Sequence, residues 1–271
     1  MPAKTQFVTD AFLRKITLPT YGGRYAVIPH GYIIDETKKQ LTAAGFKILD
    51  EMYKTSVDGK LAQGIYRLDY GDDPDMSLMF AWSNSYNKMM RFKCAVGAQV
   101  FVCMNGVVSG DLGNYKRKHV GSTALKDAEN HIASQISQAK EYYDTLVADK
   151  QTLKNVILTK SKQGAILGEL FAAKEILTLT QVGIVKRELD KPTYTYNCDK
   201  DSAWAMYNHI TFALKESHPI NYLDDHQKVH TYFVDQFSPK YVLTELPLTE
   251  EPVKQEAVLE DNEHTYGVNL M

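Results

Sequence analysis

Between residues 119 and 125 the spacing of apolar side chains changes, and that change does most to fix the fold class. Downstream, Leu125, Ala128, Ile132, Ile136, Ala139, Tyr143 and Leu146 recur every three or four positions, the period of one long amphipathic helix. Its stripe could serve core packing or contact with another subunit. Upstream, short apolar runs are cut by turn residues, a strand pattern. Strands are expected over Phe46–Tyr53, Ala62–Tyr70, Met76–Trp82 and Val96–Cys103, with Asp58-Gly59 and Asn105-Gly106 as turns. Val107-Val108 then completes a hairpin. Arg24–Ile34 reads as two short strands around Pro29-His30-Gly31, and Asp35 as the cap of the helix after them.

Further helices are expected over Gly164–Leu179, around Val182 and Val185, from an Asp201 cap through Leu214, and over Val229–Phe237. Thr193–Tyr196 reads as weakly strand-like. The expected class is α+β: a strand-rich first half forming a mixed or antiparallel sheet, packed with long helices mainly from the second half. The linker composition predicts one continuous domain over residues 1–244, strand-rich to 120 and helix-rich from 121, followed by a flexible acidic tail over 245–271.

Charge is nearly balanced, with 31 Lys and Arg against 33 Asp and Glu, but it is unevenly placed. Residues 77–119 hold six basic side chains, Lys88, Arg91, Lys93, Lys116, Arg117 and Lys118, against Asp111 alone. Residues 245–263 hold seven acidic side chains against Lys254. If the arms on either side of the central strand return to one sheet edge, they form a positive patch. Tyr86, Phe92 and Tyr115 lie among those charges. Cations interleaved with aromatics suit single-stranded nucleic acid, the cations neutralising phosphates and the rings stacking on bases. An ordinary solvated face is the plainer alternative, and assembly through the long helix is another.

Little points to chemistry. Three cysteines without paired spacing argue against a disulfide framework or a zinc site. Asp72, Asp73 and Asp75 lack the spacing of a calcium loop and read as a solvated turn. His30 in its turn reads as a local hydrogen-bonding residue. Asn208 and Thr211 share a helix face and are expected to bond internally. No glycine-rich phosphate loop or converging carboxylates appear, so no catalytic, metal or cofactor site is assigned, and a hydrolase is the least favoured reading. Neither a long apolar span nor a signal pattern is visible, which predicts a cytoplasmic protein without a membrane partner.

Three pieces together resemble the phage- and plasmid-associated domain-of-unknown-function 932 family. They are Tyr25–Tyr32 with the Asp35 helix, Asn84-Ser85-Tyr86 with Val102-Cys103-Met104-Asn105, and the helix bearing Trp204, Asn208 and Thr211. Asn84, Ser85, Cys103, Asn105, Asn208 and Thr211 match the family's polar motifs. Tyr86, Asn87 and Lys88 stand where it often carries His, Asp and Gly, which puts any chemistry of that His-Asp pair in doubt. The resemblance implies a mobile-element setting. The combined expectation is a bacteriophage or mobile-element protein that binds single-stranded nucleic acid without strong sequence preference, in replication, recombination or repair. A homo-oligomer and a replication or recombination protein recruited by the acidic tail are the other partners considered. If the tail competes for the basic patch, truncation at residue 245 should strengthen binding at low salt, measured by titration.

Overall fold

Turn chemistry sets the sheet. A computed structural model describes residues 5–21, 26–100, 106–108, 123–218 and 220–237, all within a unit spanning Met1–Pro239. Its strands are β1 (Thr5–Val8), β2 (Ile48–Ser56), β3 (Leu61–Leu68), β4 (Met76–Ser85), β5 (Lys93–Val100) and β6 (Gly106–Val108). They lie in sequence order, each antiparallel to its neighbour. Between β2 and β3, Gly59 takes φ +71° while Asp58 accepts bonds from Ser56 Oγ and the Lys60 amide. Before β4, Asp73 accepts from the amides of Asp75 and Met76. The Gln99↔Gly106 pairing closes the expected β5–β6 hairpin, and the sheet expected to be mixed or antiparallel is antiparallel throughout.

The two-residue period then sorts side chains to two faces. Tyr53, Tyr66, Phe80, Trp82 and Val96 share one face and are all buried. Trp82 lies over its register partner Gly64, where an added Cβ would sit 2.4 Å from Nε1. Trp82 Nε1 and Tyr53 Oη both donate to Tyr66 Oη, at 3.3 and 3.2 Å, so these polar atoms are satisfied inside the core. Helices cover this face: α1 (Asp10–Arg14), α2 (His30–Ala43), α3 (Ala124–Ser137) and α4 (Ala139–Asn155). Ile33, Ile132, Ile136, Tyr143 and Leu146 join the sheet's aromatics in one core. Each such side chain contributes roughly 1.5–3 kcal/mol of transfer free energy.

The remaining elements are α5 (Lys160–Gly168), continued by a π-helical turn (Glu169–Ala173), α6 (Leu179–Asp190), α7 (Ala203–Ala213), a 3₁₀ turn (Leu214–Glu216) and α8 (Tyr222–Phe237). Helix α7 is buried nearly all round, as its high apolar content requires.

Several sequence expectations are corrected here. The single long helix is two, broken at Gln138, whose backbone turns to φ −99°, ψ 2°. Ser137 Oγ and Gln138 Nε2 both donate to the Ser134 carbonyl and so compete with the helical ladder. From Ala128 to Leu146 the apolar stripe nevertheless packs into this chain's own core, whereas Leu125 at its start is 40% exposed. Pro29-His30-Gly31 is not a turn between strands. Pro29, at ψ 138°, occupies the N-cap, and its carbonyl accepts the first helical bond from Ile33. Tyr32, Ile33 and Ile34 are therefore helical in spite of their strand propensity, because Ile33, Ile34, Thr37 and Leu41 make a buried stripe. Asp35 lies inside that helix and pairs with Arg14 through two bonds of 2.6 and 2.9 Å.

Ser202, one residue later than expected, caps α7 by accepting from the Ala205 amide. Thr193–Tyr196 forms bends and no strand. The Asp72–Asp75 turn is only partly solvated: Asp73 is 2.6 Å from the fully buried Lys150 ammonium, and Asp75 takes Lys150 and Lys154 at 3.1 and 2.6 Å. Helix α4 is thereby tied to the start of β4.

Candidate functional site

The motif Asn84-Ser85-Tyr86 ends β4 and holds the start of α2. Asn84 Nδ2 donates to the Ile28 carbonyl at 2.8 Å and to His30 Nδ1 at 3.0 Å. That assignment leaves His30 Nε2–H to donate to the Gly59 carbonyl at 3.2 Å, the local hydrogen-bonding role expected of this residue. The Tyr86 ring stacks on His30 with centroids 3.8 Å apart, while its hydroxyl accepts the His30 amide. Ser85 Oγ closes the next loop through the Met90 amide and carbonyl. Asn208 donates to the Trp204 carbonyl and Thr211 to the Asn208 carbonyl, so both bond within α7.

The basic arm is dispersed. Lys88, at φ 64°, is exposed with its ammonium 4.1 Å over the Tyr21 ring. Arg91 is half-buried. Lys93 points to the other side of β5 and forms an ion pair with Asp224. Tyr86 and Phe92, expected to offer rings for base stacking, are 1% and 2% exposed. Their faces are covered by His30 for Tyr86 and by packing that includes the edge-on His131 ring for Phe92, and rings in the core cannot receive a base. Cys103, Asn105, Tyr115, Lys116, Arg117, Lys118 and the acidic tail lie outside the described residues.

The second face of the sheet holds what the sequence did not single out. Phe7, Lys54, Gln63, Ser83 and Lys93 are successive register partners, a row across five strands. Beside it runs an apolar row, Met52, Ile65, Ala81 and Ala95, partly covered by Tyr222 and Leu223 at the start of α8. A groove of about 440 Å³ opens over this face. Met52, Lys54, Gln63, Ile65 and Gln99 form its floor, Phe7 its outer lip, and Tyr194, Lys215, Glu216 and Tyr222 its walls. Lys93 opposes Gln63 through Ser83, and Gln99 lies at the other end of β5. The groove therefore runs diagonally for roughly 20 Å at about 3.4 Å per strand residue. Its span across the sheet, and not its volume, is what fits an extended ligand.

Its electrostatics are mildly positive. Lys54 Nζ donates to the Lys215 carbonyl at 3.4 Å, and desolvation pulls the Lys54 pKa below the ordinary lysine value, with Glu216 opposing that shift. An anion in the groove would favour the charged form. Lys215 lies 5.7 Å over the Tyr194 ring and 4.7 Å over Phe212. Next to the groove, burial raises Asp225 to about 6 although Ser217 donates to it at 2.9 Å.

Elsewhere, burial lowers His131 to about 4 and burial of Cys94 raises its thiol, neither of which suits a proton shuttle or nucleophile at neutral pH. Among the described residues no group of three His, Cys, Asp or Glu side chains could hold a metal ion, and no helix is long and apolar enough to cross a membrane.

Strand alternation carried a signal for the groove, since Gln63 interrupts an apolar run in β3 and Lys54 shares a strand face with Met52. Nothing local in the sequence links them to Tyr194, Lys215 or Tyr222. No curated protein and no solved structure matches the chain. The family model described as "Domain of unknown function (DUF932)" matches residues 18–232, which spans β2 to β6, the groove floor and most of α8, and the chain therefore belongs to that family.

Proposed function

We propose that the chain binds single-stranded nucleic acid along the groove on the second face of its sheet. The observation that carries this reading is the groove's form: a channel roughly 20 Å long, floored by Lys54 and amide side chains and walled by Lys215, Tyr194 and Tyr222. Two ammonium groups neutralise phosphates, and aromatic walls offer stacking surfaces that any base can use. The expected aromatic partners thus move from Tyr86 and Phe92 to Tyr194, Tyr222 and Phe7, while Lys93 stays on the same sheet face as the binding row. The proposed setting is replication, recombination or repair of mobile-element DNA in the host cytoplasm, where single strands arise.

Fluorescence anisotropy with labelled single- and double-stranded oligonucleotides over a salt series tests the proposal. Single strands should bind preferentially, and Lys54→Ala with Lys215→Ala should flatten the slope of log affinity on log salt by about 1.4, the loss of two phosphate contacts to a single strand. Equal weak binding of both nucleic acids, with the double variant unchanged, refutes it.

A further inference from the structure

The β5 end of the groove floor leaves two neighbouring polar side chains unbonded. Gln99 lines the groove at 2% exposure, and among the described residues its amide has no hydrogen-bond partner. Ser77, its register partner on β4, is 4% exposed, and its hydroxyl is buried without a partner among them as well. On the other side Gln99 pairs with Gly106, which has no side chain to offer. A buried amide or hydroxyl is costly unless bonded, and Met52 and Ile65 show that the same floor accepts apolar side chains. Folding gains nothing from the amide at 99 or the hydroxyl at 77.

The two groups are placed to act together. Directly opposed residues on one face of a sheet have Cβ atoms about 4.5–5.5 Å apart, so rotation of the Gln99 side chain brings its amide to the Ser77 hydroxyl. The amide carries a donor at one end and an acceptor at the other, and a hydroxyl can meet either. A ligand that bonds one end of the amide fixes its orientation, and the other end then turns to Ser77. Both groups are thereby satisfied at once, and only with a ligand in the groove.

We infer that Gln99, backed by Ser77, is a polar subsite of the groove that bonds the edge of one unpaired base in a bound strand. This rests on the strand-binding reading above and adds a base contact to it. A neutral amide and hydroxyl do not neutralise phosphate, a task that Lys54 and Lys215 already fill, whereas a base edge presents donors and acceptors side by side. Tyr194 and Tyr222 offer their rings to the face of a base, and Gln99 takes its edge.

The test uses the full chain and reads stability and binding together, because a structural glutamine and a ligand-binding one predict opposite results. Gln99→Met keeps the length of the side chain and removes the amide, and Ser77→Ala removes the hydroxyl alone. Neither should lower the urea midpoint, since no internal hydrogen bond is lost. In fluorescence anisotropy at fixed low salt, Gln99→Met should weaken an oligo-dT strand about fivefold, the net value of one hydrogen bond. Ser77→Ala should weaken it less, and an abasic strand of equal length and charge should bind the wild type and both variants alike. A lower midpoint in either variant assigns the polar atoms to the fold and overturns the inference, as does unchanged affinity of Gln99→Met for oligo-dT. An abasic strand that loses as much affinity as oligo-dT, or that binds the wild type equally well, overturns base contact while leaving phosphate-driven strand binding intact. Failure of both strands to bind the wild type removes the strand-binding proposal and this inference with it.

Discussion

The two faces of the sheet are built from the same strands and serve opposite ends. On the helix-covered face, Tyr53, Tyr66, Phe80 and Trp82 pack against α2, α3 and α4, and their few polar atoms bond to one another. On the other face, alternate residues of those strands are Lys54, Gln63, Arg67, Ser83 and Lys93, with only a narrow apolar row between. One face is filled to the density of a protein interior, and the other leaves a channel beside α8. The pleat thus separates the packed face from the proposed binding face: a position's parity along the strand decides which of the two a substitution should disturb.

Substitutions can break that separation or sharpen it. The largest effect belongs to the packed face, where Trp82→Ala should cost about 3–5 kcal/mol, read as a lower urea midpoint, because no neighbour can refill the space over Gly64. Next, Gly64→Ala should cost about 1–3 kcal/mol in spite of its small size, since the new methyl meets the indole. If either change lowers strand affinity at temperatures where the variant remains folded, the faces are not independent.

A smaller effect is expected from pH. Burial raises Asp225 from 3.8 to about 6, so the folded chain holds this proton more tightly than the unfolded chain. The contribution is complete below the unfolded value and is lost as pH rises through the folded one, so stability from this group falls between about pH 4 and pH 6. Asp225→Asn should flatten that part of a stability profile followed by chemical denaturation. The smallest effect is Glu216→Gln on the channel wall, which should strengthen strand binding about twofold to fivefold at low salt by removing one like charge, with no change in urea midpoint.

The sequence showed the class, the meander strands and most helices because these depend on local period and turn residues. It misread Tyr32-Ile33-Ile34, where strand propensity yielded to a helix begun at Pro29. It also joined α3 to α4, since the apolar spacing continues through a break caused by polar side chains at 137 and 138. At the candidate site, charge density drew attention to residues 88–93, where the ring side chains turned out to be core. The groove's walls come from residues 194, 215, 216 and 222, far along the chain from its floor, and no local pattern joins them. Lys54 and Gln63 could have been found by asking which strand positions waste their burial.

Strand order carries a consequence for how the groove is assembled. Strands β2 to β6 follow one another through the chain, so their pairings form between near neighbours. β1 alone waits for a partner across some fifty residues, with Thr5 meeting Ser56, and it is only four residues long. Distant, short pairings close late and open early. The lip bearing Phe7 should then be the last part of the channel to form and the first whose amides exchange with solvent, a hinge point supplied by topology and not by a loop.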